Sequence, residues 1–121
     1  MKKDNVRDYV VAMFRFYSEL GQPNQEQIQN LKTKLSTAAI LDLIAVDDTL
    51  HLLSESGDDF TVAAVKEIYF IQPTKPLQRN ELSERVVKFS LLHFVAERNV
   101  WHELKRARRI CAEQRNLNII S

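Results

Sequence analysis

Apolar side chains return every three or four residues along most of the chain, the spacing of a helix with one buried face. Val6, Tyr9, Val10, Met13, Phe14, Tyr17 and Leu20 set out one broad apolar face and predict a helix from about Asp4 to Leu20. Gly21 closes it and Pro23 forbids its continuation. A second helical segment starts near Asn24 with Ile28, Leu31 and Leu35 on one side, and the pattern leaves open whether it runs on through Ser36 and Thr37. From Ala38 to Leu53 apolar residues lie nearly all round the helix, which predicts burial against more than one neighbour. Ser54 to Asp59 breaks the pattern, and Asp58 or Asp59 can cap the next helix, which carries Val62, Val65, Ile68 and Tyr69 and stops near Gln72, before Pro73. The run Ile68 to Ile71 would suit a strand, but no second strand is at hand to pair with it. Pro73 to Leu77 forms a connector. Two more helices follow, about Arg79 to His93 and Glu97 to Arg115. In the first of these, Leu82, Val86 and Phe89 form one apolar row and Val87 and Leu91 a second, a scaffold expected to be buried on two sides.

Composition agrees with an all-α helical bundle. Two Gly and three Pro in 121 residues cannot supply the frequent turns of a sandwich or barrel. With Gly21 and Gly57 as its only glycines, the chain has no phosphate-cradling loop and no dinucleotide fingerprint. The single cysteine, Cys111, excludes an internal disulfide and fits a reducing compartment. There is no apolar run of membrane-spanning length and no signal-peptide stretch, so a cytoplasmic protein without membrane contact is expected. Residues 1–57 read as a region for packing or dimerisation and 58–121 as a helix-turn-helix region, the two forming one unit.

Charge changes the picture. Residues 1–60 hold six Lys/Arg against ten Asp/Glu, and residues 61–121 hold eleven against six. A basic C-terminal half suggests an anionic partner. On the last helix, Val100, Leu104, Ala107 and Cys111 fall within about 60° of one another, a narrow apolar seam. Arg98, His102, Lys105 and Arg109 lie on the opposite side, with Asn99 and Arg106 at its edge and Glu113 the one acid there. A merely solvated helix mixes its signs more evenly, and a near-uniform basic face behind a scaffold helix is what major-groove reading requires.

From about Asp47 to Glu113 the chain resembles region four of bacterial sigma factors and the sigma-like regulators encoded by phages. The matching pieces are Thr49-Leu-His-Leu-Leu, Val65-Lys-Glu-Ile-Tyr-Phe, Glu81-Leu-Ser-Glu-Arg-Val and Val95-Ala-Glu-Arg-Asn-Val-Trp-His-Glu-Leu-Lys-Arg-Ala-Arg-Arg. The resemblance implies a C-terminal helix-turn-helix unit that recognises promoter-type duplex DNA. Three features depart from the family pattern. The turn reads His93-Phe94 where Gly is usual, Ala96 stands where Ser usually caps the recognition helix, and Glu84 to Val95 is some two helical turns longer than typical.

The DNA-contacting residues expected are Arg98, Asn99, His102, Lys105, Arg106 and Arg109, the first three at base edges and the cations further along at phosphates. The apolar face of the first helix is expected to pack against the 24–53 helices or against another subunit, and in the second case a symmetric homodimer would span two half-sites. Other readings are a module that binds RNA polymerase or a sigma factor, a small-terminase-like DNA-packaging subunit, and a helical assembly adaptor. Asp47 and His51, one helical turn apart, read as a surface pair without the third ligand a metal needs. His93, His102 and Cys111 do not make a nucleophile, base and orienter. Trp101 flanks the seam, at a core edge or a partner contact. No cofactor, metal or enzymatic activity is expected.

Overall fold

In a computed structural model of the chain, residues 5–117 are described, and among them six helices and no strand are found. The helices are α1 (Asn5–Glu19), α2 (Gln25–Asn30), α3 (Thr37–Glu55), α4 (Asp59–Tyr69), α5 (Glu81–His93) and α6 (Glu97–Gln114). The start expected for α1 at Asp4 lies outside the described residues.

Local chemistry sets the boundaries. Asn24 caps α2 reciprocally: its side chain accepts from the Gln27 N–H at 2.9 Å while the Gln27 side chain accepts from the Asn24 N–H. Ser36 then caps α3 through the Ala39 N–H at 3.1 Å. The helical segment that the periodicity left undivided therefore breaks between Asn30 and Thr37. At the break after α3, Gly57 adopts φ 78°, and Asp58 N–H closes the turn on the Leu53 carbonyl at 2.8 Å. Asp58 holds the cap position of α4, but its side chain makes no capping bond; the carboxylate is turned instead to α6. The Ile68 to Ile71 run does not become a strand, because α4 extends through Tyr69, and it ends three residues before the expected Gln72.

α6 packs against α1, α3, α4 and α5, so the core is continuous across the break at Gly57. Its seam of Val100, Leu104, Ala107 and Cys111 is fully buried. Val10, Met13, Phe14 and Tyr17 of α1 are buried with it, and α1 packs on α3, α4 and α6. Most of that apolar face is thus covered within one chain, while Tyr9 and Leu20 at its edge stay exposed.

The long connector between α4 and α5 is pinned from α1. Arg15, on the side of α1 away from its apolar face yet only 8% exposed, donates to the carbonyls of Ile71, Gln72 and Lys75. Ser18 Oγ donates to the Phe70 carbonyl at 2.9 Å, and Arg85 Nη1 reaches the Ile68 carbonyl at 2.7 Å. Carbonyls that no helix or strand can satisfy find side-chain donors here.

Asp47 corrects the expectation of a surface pair. It is 4% exposed and accepts from the Tyr17 hydroxyl at 3.0 Å and from Gln25 Nε2 at 2.8 Å, while His51 Nδ1 stands 3.4 Å away. This buried carboxylate ties α1 and α2 to α3. Burial and the Asp47 carboxylate raise the Tyr17 hydroxyl well above its ordinary value.

Candidate nucleic-acid interface

The α5–α6 pair is joined by Phe94, Val95 and Ala96. The chain reverses at Phe94, whose backbone adopts φ 56° and ψ 45° in the left-handed region. The Phe94 N–H bonds the Ser90 carbonyl, and the Val95 N–H reaches the same carbonyl at 3.1 Å. The positive φ that glycine would take freely is therefore present in this turn, carried by an aromatic residue. Ser90 Oγ also donates to the Val95 carbonyl at 2.5 Å, bracing the turn from inside. Ala96 is the N-cap of α6, with extended backbone and no side-chain capping bond, so the first N–H groups of α6 are not capped by a side chain.

The expected cations divide into two groups. Arg98, Asn99, His102, Lys105 and Arg109 are exposed. None of them has a side-chain hydrogen bond or ion pair with another described residue. Arg106 is different. Its guanidinium bonds Asp58 Oδ2 at 2.5 Å and Glu103 Oε2 at 3.1 Å, while Thr61 Oγ1 donates to the same Glu103 oxygen at 2.7 Å. The Asp58 hydrogen bond pushes Arg106 above its usual range. Arg106 thus fastens α6 to the start of α4, and its charge is met by two carboxylates.

This asymmetry polarises α6. One flank is lined with acid through Glu103 and Asp58. The other carries Trp101 and Arg108, the latter donating from Nη1 to the Tyr69 hydroxyl at 2.8 Å. The open basic face lies between them. Further along, Arg115 Nε bonds Asp42 Oδ1 at 2.7 Å and fixes the end of α6 on α3.

α5 corrects the expectation of burial on two sides. Val86 and Phe89 are buried, but Val87 is 39% and Leu91 71% exposed. No other described helix packs on that side. Leu92 and Phe94 continue the exposed apolar surface, with Phe94 94% exposed. His93 is drawn inward instead, stacked on Phe89 at a ring distance of 4.1 Å and 3.2 Å from Glu67 Oε2.

The remaining candidates for chemistry stand apart. Cys111 is fully buried on the seam, and burial pushes its thiol up to about 12. His102 is exposed on the opposite face of the same helix. No cluster of three metal-ligating side chains occurs among the described residues, and no helix among them is long and apolar enough to cross a membrane. The signals that sequence reasoning missed are Arg15 and Asp47. Asp47 is a charged residue at an apolar-face position of α3, where burial demands a partner, whereas Arg15 lies on the side of α1 away from its apolar face, and the connector that covers it leaves no mark in the periodicity. Comparison of the chain with protein-family models, with curated proteins and with solved structures finds no match in any of the three.

Proposed function

We propose that the chain is a duplex-DNA-binding regulator that presents the outer face of α6 to the major groove. One observation carries this reading. Three formal cations (Arg98, Lys105 and Arg109), with His102 and Asn99, stand exposed and without described intramolecular partners, directly opposite a fully buried seam. A helix held rigidly from behind and basic in front suits a phosphate-lined groove. Arg98, Asn99 and His102 occupy the first two turns of α6, the part of a recognition helix that reaches base edges. Arg is suited to guanine and Asn to adenine. Lys105 and Arg109 are the phosphate contacts. Arg106, engaged by Asp58 and Glu103, is left out of that set.

Titration of a fluorescent random-sequence duplex at two salt concentrations tests the proposal. Binding at low salt that weakens steeply as salt rises supports it. Absence of binding at low salt removes it. A second reading, a module that docks on a protein such as RNA polymerase or a sigma factor, draws support from the exposed Leu91, Leu92 and Phe94 beside the basic face.

A further inference from the structure

Between α1, the α4–α5 connector, the start of α5 and the flank of α6 lies a cleft of about 600 Å³, within the size range of small-molecule sites. The charged side chains lining it are Arg7, Asp8, Arg15 and Arg108; Arg7 pairs with Asp8 at 3.5 Å, which leaves Arg15 and Arg108 as the cations without a carboxylate partner among the described residues. Arg15 is buried, yet its partners are three neutral carbonyls, and no described carboxylate forms an ion pair with it. Those bonds engage three of its five N–H donors and leave two. Burial, and then the nearby Arg85 cation, lower its pKa, and Glu81, which forms its own ion pair with Arg85, offsets this only in part. Arg108, half-buried, also lines the cleft and donates to the Tyr69 hydroxyl at 2.8 Å. The rest of the wall mixes apolar and aromatic side chains, Val11, Leu77 and the Trp101 ring among them, with the polar Gln78, Asn80 and Ser83.

We propose that this cleft binds a phosphorylated small molecule of nucleotide size, its phosphate between Arg15 and Arg108 and its planar ring against Trp101 and Leu77. An anion there supplies the counter-charge that the fold does not, and an apolar wall beside cationic donors matches a ligand that is flat at one end and charged at the other. The proposal is independent of DNA binding, because its residues lie on the Trp101 flank of α6 and in other elements.

Trp101 is the only tryptophan in the chain, so its fluorescence reports on the cleft directly. The full-length chain is titrated with ATP, with sodium chloride at matched ionic strength as control. The expected result is a saturable change in Trp101 emission that salt does not reproduce. Arg108→Gln weakens it by roughly tenfold, the loss expected for one charge-assisted phosphate contact, and Arg98→Ala and Arg109→Ala leave it unchanged. Should circular dichroism show Arg108→Gln unfolded, Arg108→Lys, which keeps the charge and loses the two-pronged contact, takes its place with the same expected direction. No saturable change through millimolar ATP overturns the proposal, as does an equal response in the folded cleft variant or loss of the response in the α6-face variants.

Discussion

Replacing Phe94 by glycine should stabilise the protein, although it deletes a phenyl ring. An L-residue held in the left-handed region costs about 1–2 kcal/mol relative to glycine, and Phe94 sits there at φ 56°. Against this, glycine makes the unfolded chain more flexible, which costs about 0.4–1 kcal/mol. The ring itself offers little to lose, since Phe94 is 94% exposed. The backbone bonds from Phe94 and Val95 to the Ser90 carbonyl do not depend on the side chain. The net gain is therefore about 0–1.6 kcal/mol, centred on ~0.8 kcal/mol, which corresponds to a melting temperature higher by roughly 2–5 °C for a chain of this size. Urea denaturation followed by Trp101 fluorescence measures it, with the slope checked for constancy so that a midpoint shift can be read as stability. Two further substitutions sharpen the test. Phe94→Asn should also stabilise, because asparagine tolerates the left-handed region, and Phe94→Val should destabilise, because a β-branched residue does not. If glycine costs 1 kcal/mol or more, the ring is packed against something or the turn has another backbone, and the account of this turn fails.

Ala96→Ser should stabilise by about 0.5–2 kcal/mol, since Ala96 has extended cap geometry and no capping bond; a neutral result in thermal unfolding would place the start of α6 elsewhere. Tyr17 makes stability depend on alkaline pH. Its folded pKa is raised above the unfolded value of about 10, so its contribution is complete below that value and is lost as pH rises beyond it. Tyr17→Phe should flatten that loss and, at neutral pH, cost about 1–2 kcal/mol for the hydrogen bond to buried Asp47. On DNA, Arg98→Ala should cost roughly 1–3 kcal/mol at a preferred site and relax the preference. Arg109→Ala should weaken all sequences alike, as selection of a site from a random pool followed by binding curves can separate.

Periodicity was enough to place α1, α3, α5 and α6 and to pick out the seam of α6, because a buried stripe on a long helix leaves its mark at every turn. It could not say which side of a helix a neighbour would cover. Val87 and Leu91 recur at helical spacing as Val86 and Phe89 do, yet only the second pair is buried. Charge was misjudged for a related reason. Arg106 shares a face with Arg98 and Arg109 by angle, but Asp58 lies 48 residues earlier in sequence and meets it only once α4 and α6 pack together. Asp47 and Arg15 likewise owe their roles to partners brought from α1, α2 and the connector. The turn was legible in part. Phe94 and Ala96 stood out as unusual residues for a turn and a cap, and the backbone places Phe94 in the left-handed region and Ala96 at the N-cap.

The salt dependence of duplex-DNA binding, compared between the natural chain and a variant with alanine at Arg98, His102, Lys105 and Arg109, tests the central claim most directly. The account predicts that the natural chain binds and that log K falls linearly with log salt, with Lys105 and Arg109 each contributing about 0.9 to the slope. The folded variant should bind far more weakly, with a slope shallower by about two units. A variant that binds with unchanged affinity and slope, or a natural chain that does not bind at low salt, would contradict it.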